Sequence, residues 1–437
     1  MRLFRLPPSA YLFGLNGSVA AVQMVSSILL ARVLGVEGRG IFASWVILGS
    51  AAGGAALFGL HLYAGRAAAQ EPKAVKDIYK RVFTTALYPI SIAWLLLFVL
   101  FMVKDLDGGL TSWALACAFV AFSVFNAIQV QVEISRNSLK TYALARGSFA
   151  IFNLIGIASV YVLFASTPLN YFWALVLTAA SGAAITYWAI GETIRDVTTK
   201  WSSTKTPFAS LLDAKKDGMA TLMVALATIA DRLFVTLLFS AVNLGNYVVA
   251  MSIAQLQSLF SEAMAPLFFA RMSALKEDDK LDKDWLAMRI RQSTIVNVMS
   301  GLLTFCASFF AIPILFGPEF NGAIGLACFL IPAFALKAIM RPFEEALKGL
   351  NKSLQQSFGL IIWFSAFVIL CIPALIFDNV YYIAAAMVGA GLIGVLTMAS
   401  LLKKLIQIRL TDMLVPRKSD FNGLIREITR KGHRSFR

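Results

Sequence analysis

Twelve apolar runs of about 20 residues each dictate what this chain can become, because a helix needs a run of that length to cross about 30 Å of hydrocarbon. Their limits are 11–32, 40–63, 82–103, 112–132, 147–165, 171–191, 218–240, 245–269, 292–316, 322–345, 355–377 and 380–402. Inside lipid, backbone N–H and C=O groups find partners only within a helix or a closed barrel, so runs this long predict spanning helices. The 437 residues are 59% hydrophobic and only 14% charged, a balance that excludes a soluble domain of this length. The first run is the least apolar, carrying Asn16, Ser18, Gln23, Ser26 and Ser27. Arg2 and Arg5 ahead of it, with Ser18-Val19-Ala20 inside it, have the pattern of a signal peptide. The break at Asn16, and a counterpart run ending near Ser240, favour a retained first span instead.

That counterpart belongs to an internal repeat. Gly40-Ile41-Phe42 is answered 205 residues later by Gly245-Asn246-Tyr247, and the apolar run after each closes on an arginine, Arg66 and Arg271. Ala114-Leu115-Ala116-Cys117 matches Gly325-Leu326-Ala327-Cys328, and Glu133 matches Glu344, at an offset of 211. Each copy holds six runs, an even number, so both enter the membrane from the same side. The repeats are then parallel, related by an axis along the membrane normal. The expected organisation is an N-terminal six-helix lobe (1–192), a cytoplasmic linker (193–217), a C-terminal six-helix lobe (218–402) and a basic cytoplasmic tail (403–437).

Orientation follows from the cations. With the N-terminus in the cytoplasm, 33 of the 39 Lys and Arg fall on cytoplasmic segments, and the opposite face holds only Arg32, Arg39 and Lys104. Both termini are therefore expected to be cytoplasmic. The same bias accounts for the net charge of +15, which calls for no nucleic-acid partner; anionic lipids at the cytoplasmic face suffice. In the tail, Leu405, Ile408, Leu424, Ile425 and Ile428 alternate with cations, which suits either a surface-lying amphipathic segment or a disordered basic tail. The four cysteines lie in apolar runs without metal-ligand spacing and read as buried small hydrophobes.

Ionisable groups inside spans are costly and mark functional candidates. The seventh run carries Asp231-Arg232, and the eighth carries Glu262 with Gln255 and Ser258 at helical spacing. The tenth carries Lys337, Arg341, Glu344 and Glu345 on one face, with Pro332 and Pro342 placed to kink the helix. The first half is milder, with a stripe of Asn126, Gln129 and Glu133, and His61 late in the second run. Each candidate has a structural alternative. Asp231 or Arg232 can pair with a neighbouring helix, and Glu262 can partner Arg232. Lys337 and Arg341 can be neutralised by Glu344 and Glu345, and Arg32 can snorkel to headgroups. With two histidines, no CxxC, no GxxxxGK and no nucleophile elbow, neither an enzyme nor a cofactor is expected.

Leu29-Leu30-Ala31-Arg32-Val33-Leu34-Gly35-Val36-Glu37-Gly38-Arg39-Gly40-Ile41-Phe42 resembles the opening signature of polysaccharide-exporting flippases of the Wzx type. These belong to the multidrug/oligosaccharidyl-lipid/polysaccharide exporter superfamily, with the lipid II flippases and the multidrug and toxin extruders. Asp231-Arg232 followed by Leu244-Gly245-Asn246-Tyr247, and Leu315-Phe316-Gly317-Pro318-Glu319-Phe320, resemble two further stretches of that family. The resemblance implies an all-α integral membrane protein whose twelve transmembrane helices, in two six-helix lobes, form a V-shaped central cavity opening to each side in turn. It implies a flippase in the cell inner (plasma) membrane that moves a polyprenyl-diphosphate-linked oligosaccharide from the cytoplasmic to the outer leaflet, for surface polysaccharide biosynthesis. Carried over, Arg32, Arg232, Lys337 and Arg341 become contacts for the anionic headgroup, and Asp231 and Glu262 become ion-coupling residues, with H+ or Na+ as the ion. A polysaccharide polymerase is an expected partner. Two other readings stand beside this one: an ion-coupled multidrug exporter on the same fold, which would want an acidic cavity, and a non-transporting scaffold for polysaccharide synthesis.

Overall fold

The computed structural model describes residues 8–104, 108–136, 138–194, 215–258, 261, 268, 272, 283–350, 352–415, 417, 420 and 421. Glu262 and Arg271, and the expected linker between 195 and 214, lie outside the described residues. The described chain is helical throughout. In order, the helices are α1 (Pro8–Leu57), α2 (Leu60–Gln70), α3 (Val75–Lys104), α4 (Gly109–Ser135), α5 (Leu139–Leu163), α6 (Pro168–Ile194), α7 (Lys215–Leu238) and α8 (Ala241–Ala254). They continue as α9 (Lys283–Ala311), α10 (Gly322–Gly349), α11 (Ser353–Leu370), α12 (Ile372–Ile376), α13 (Tyr381–Ile406) and α14 (Leu410–Leu414).

Ten stretches are long and apolar enough to cross a membrane, against twelve expected. Two features account for the difference. The first and second expected spans follow one another without a loop in the stretch Gly17–Leu57, as two helices that meet at a kink. Within it only Gly35 leaves helical geometry, at φ 65 and ψ −174, a left-handed conformation that favours a residue without Cβ. The eighth expected span, 245–269, runs past the described part of α8. α10 continues through both Pro332 and Pro342. Large apolar side chains cover the outside of the helices: Val103 is 77% exposed and Leu303 74%. Water would not tolerate such a surface, whereas lipid requires it. This is a multi-pass membrane protein. Of the cysteines, Cys117 and Cys371 are buried as expected, while Cys306 is exposed on the apolar exterior.

Two compact units make up the chain: Met1–Ser252 with Ile312–Ala323, and Ile253–Ala311 with Ile324–Arg437. The core of the first is built from α1 to α6, with Trp45, Leu60, Ile78, Leu97, Val120, Ile128, Tyr171 and Phe172 among its buried residues. α7 completes it by packing on α1, and α8 meets α1 at Gly40 and Gly245. The approach of α8 is close and reciprocal. A Cβ on Gly40 would lie 1.8 Å from the Ala241 carbonyl oxygen, and a Cβ on Gly245 would lie 2.1 Å from that of Val36. Positions 36 and 241, like 40 and 245, stand 205 residues apart, so the two contacts are reciprocal at that offset.

Candidate functional site

A cavity of about 250 Å³ opens within the first unit. Helical periodicity explains its lining. Gln23, Ser26, Ser27 and Leu30 share one face of α1 ahead of Gly35, and Arg39, Phe42, Ala43, Val46 and Ile47 share one face after it. The kink lets both limbs of one helix line the same space. Asn153 and Ile157 come from α5, Tyr171 and Leu175 from α6, Arg232 from α7, and Val248, Met251 and Ser252 from α8.

The chemistry of this lining is one-sided. It contains two arginines and no carboxylate. Arg39, only 8% exposed, donates from Nη2 to Ser27 Oγ at 3.2 Å and places its guanidinium carbon 5.7 Å from the centre of the Phe42 ring. Arg232 donates from Nη2 to the Thr228 carbonyl at 2.7 Å, one turn back on its own helix. The Nε–H of each arginine is buried and has no hydrogen-bond partner. Two cations and no carboxylate in the lining favour an anion over a cation as the occupant. Ser27 Oγ and Ser252 Oγ, both in the lining, are hydrogen-bonded to each other at 3.3 Å.

Asp231 does not balance these charges within the lining. It is 2% exposed and turned toward α8, where Tyr247 donates its hydroxyl to Oδ2 at 3.0 Å. Its Oδ1 is 3.9 Å from Arg232 Nε, an ion pair too long for a hydrogen bond. Ser26 and Phe42 are the repeat mates of Asp231 and Tyr247, so the second copy carries a buried hydroxyl–carboxylate bond where the first has a serine and a ring without a hydroxyl. Tyr247→Phe should destabilise the protein by about 1–3 kcal/mol, because a buried carboxylate oxygen loses its donor. Thermal unfolding in detergent checks this, and an unchanged melting temperature would contradict it.

The remaining candidates are placed elsewhere. Arg32 donates from Nε to the Leu315 carbonyl at 2.7 Å, and from Nη2 to the Ile314 carbonyl. It thereby satisfies carbonyls in the π-helical turn Ile312–Phe316, and it is not part of the cavity lining. Arg32→Gln is expected to lower thermal stability by about 1 kcal/mol while leaving apparent substrate affinity unchanged. Lys337 lies in the second unit, with Nζ 5.9 Å from the centre of the Phe334 ring and 5.7 Å from that of Trp363. Arg341 pairs with Glu344 at 2.9 Å and Glu345 at 3.7 Å, and Lys348 pairs with Glu345 at 2.9 Å. The acidic end of the α10 stripe is thus mutually neutralised. In the first unit Glu133 keeps an equivalent pairing, with Arg136 at 2.9 Å.

Of the six residues singled out by sequence, Arg232 lines the cavity and Asp231 adjoins it. Hydropathy places Arg39 on an outer connection; the second limb of α1 instead begins just past the kink at Gly35 and carries Arg39 into the cavity lining. Its signal is in the sequence all the same: Arg39, Phe42, Val46 and Ile47 keep helical spacing, as do Gln23, Ser26 and Ser27 in the least apolar run.

No family model matches the chain, and no curated protein sequence does. Solved structures are similar in fold. One is the lipid II flippase MurJ in an inward closed conformation, with 15% identity, a TM-score of 0.68, and 98% of this chain and 94% of that one covered. Another is an inward-facing multidrug resistance MATE family transporter of the MOP superfamily, with 14% identity, a TM-score of 0.62, and 88% of this chain and 96% of that one covered. A third is the Vibrio cholerae MATE transporter VcmN in the bent form, with 13% identity, a TM-score of 0.56, and 92% of this chain and 98% of that one covered. The chain has the fold of MATE transporters and of MurJ along most of its length.

Proposed function

We propose that the protein is a flippase that carries a polyprenyl-diphosphate-linked oligosaccharide from the cytoplasmic to the outer leaflet of the inner membrane. The observation that carries this reading is the pair of arginines, Arg39 and Arg232, in a cavity lining without carboxylates. A diphosphate supplies acceptor oxygens and negative charge to that space, and burial strengthens each contact. An exporter of cationic drugs would meet two like charges in the lining, only one of which has a carboxylate beside it. The fold shared with MurJ and MATE transporters supports transport over scaffolding.

In this reading the twelve spans form two parallel six-helix repeats, and the Gly40–Ala241 and Gly245–Val36 contacts mark their pseudo-two-fold axis. Both termini are cytoplasmic. Transport is driven by H+ or Na+, with Asp231 as the coupling carboxylate in the first unit: neutralising it removes the charge nearest Arg232. Glu262 is proposed for the same role in the second half. Lys337, between two aromatic rings, and Arg341, held by two glutamates, are assigned to packing around a later stage of the substrate's path. The product is handed to a polysaccharide polymerase on the outer side.

Flux in proteoliposomes tests the coupling. Asp231→Asn should leave substrate binding intact and make flux independent of the ion gradient. Unaltered gradient dependence would remove Asp231 from this role.

A further inference from the structure

The described residues after α13 are docked on the helices before them. α14 packs on both α9 and α13, and Met413 is fully buried there. Beyond it Asp420, with no exposed surface, meets Arg291 of α9, which is 5% exposed. The pair is bidentate: Nε to Oδ2 at 2.7 Å and Nη2 to Oδ1 at 2.9 Å. Arg291 also donates from Nη1 to the Asp412 carbonyl, and the Arg417 backbone N–H donates to Asp420 Oδ2 at 2.7 Å. Gln292 Nε2 donates to the Asp420 carbonyl at 3.4 Å, and Arg417 closes the loop on Asp412 at 2.5 Å. This ties residues 129 positions apart in sequence. Burial alone would raise the Asp420 carboxyl, but the Arg291 hydrogen bonds, the Arg417 N–H and both guanidinium charges outweigh it and hold the group below the usual carboxylate range.

We propose that α14 together with Arg417 and Asp420 is a strap, fastened by the Arg291–Asp420 pair, that holds the first turns of α9 against the end of α13 and so positions them for transport. The transport half of this inference rests on the flippase reading above; the docking half stands without it. Charge placement argues for a built contact. A surface ion pair contributes little, whereas a buried bidentate pair with every charge answered collapses when one partner is removed, because the other is left buried and alone. Deleting everything after Lys403 would therefore strip Arg291 of its counterion and lower flux without any lost protein partner, so such a truncation is not evidence for scaffolding.

Hydrogen exchange on the full chain in lipid nanodiscs tests the strap. Arg291→Gln and Asp420→Asn should each speed exchange at Leu410–Leu414 about tenfold or more, and the swapped pair Arg291→Asp with Asp420→Arg should restore most of the protection. The carboxyl titrates below the usual range, so docking is complete at neutral pH and is lost as pH falls through the lowered value. Asp420→Asn should remove that acid dependence. Unchanged exchange in either single variant, or no rescue in the swap, would overturn the strap. Flux measured on the same samples separates the two claims. Exchange that responds while flux does not, in a wild type that transports, overturns only the positioning role. A wild type that does not transport fails the flippase reading and leaves the exchange result to decide the strap.

Discussion

Gly40→Ala is expected to cost more than an ordinary overpacked core substitution, which runs to about 1–3 kcal/mol. The added methyl carbon would sit 1.8 Å from the Ala241 carbonyl oxygen, well inside van der Waals contact, and the obstacle is backbone rather than a movable side chain. The neighbouring atoms leave no direction of escape, since the Ala241 carbonyl carbon and Cα lie 2.5 and 3.0 Å from the same point. α8 must shift away from α1, and the lining of the cavity shifts with it, because Val248, Met251 and Ser252 are on α8. Gly245→Ala should behave alike, its methyl meeting the Val36 carbonyl at 2.1 Å. In contrast Gly53→Ala, with nothing within 4 Å of the new carbon, should be near neutral. Thermal unfolding and flux of the three variants check this. Wild-type behaviour of Gly40→Ala would mean that the crossing is looser than 1.8 Å implies.

The second large effect concerns the cavity cations. Replacing either Arg39 or Arg232 by Gln removes a charged donor from a buried site, each contact being worth about 1.5–3 kcal/mol, or roughly 10- to 100-fold in flux of a diphosphate-linked lipid. Lysine at either position keeps the charge but loses the planar fork, so it should retain only part of the flux. The double substitution should fall short of the product of the two single losses, because both guanidinium groups address the same anion.

Span positions were readable from hydropathy because lipid forces a length and a composition on every crossing helix. The two glycines that the 205-residue offset picks out, Gly40 and Gly245, are the ones that meet backbone reciprocally. What hydropathy did not reveal was the direction of the chain at Gly35. The two limbs of α1 meet at Gly35, at φ 65, between the first and second runs, and the second limb starts early enough to carry Arg39 into the cavity lining. Long-range partners were equally invisible. Arg32 had the features of a ligand cation, but its acceptors are carbonyls 282 and 283 residues away. Asp420 looked like one acid in a basic tail, and its partner is on α9. The i, i+3 and i, i+4 pairings of Arg341 were legible, because helix geometry alone brings those groups together.

The most direct test is flux of a labelled polyprenyl-diphosphate oligosaccharide across proteoliposomes containing the purified protein, compared with the Arg39→Gln/Arg232→Gln double variant at equal protein content. The account predicts rapid flux in the wild type, reduced about 100-fold or more in the double variant, with no export of a cationic dye by either. Wild-type flux from the double variant, or dye export that persists in it, would contradict the assignment of this cavity to an anionic headgroup.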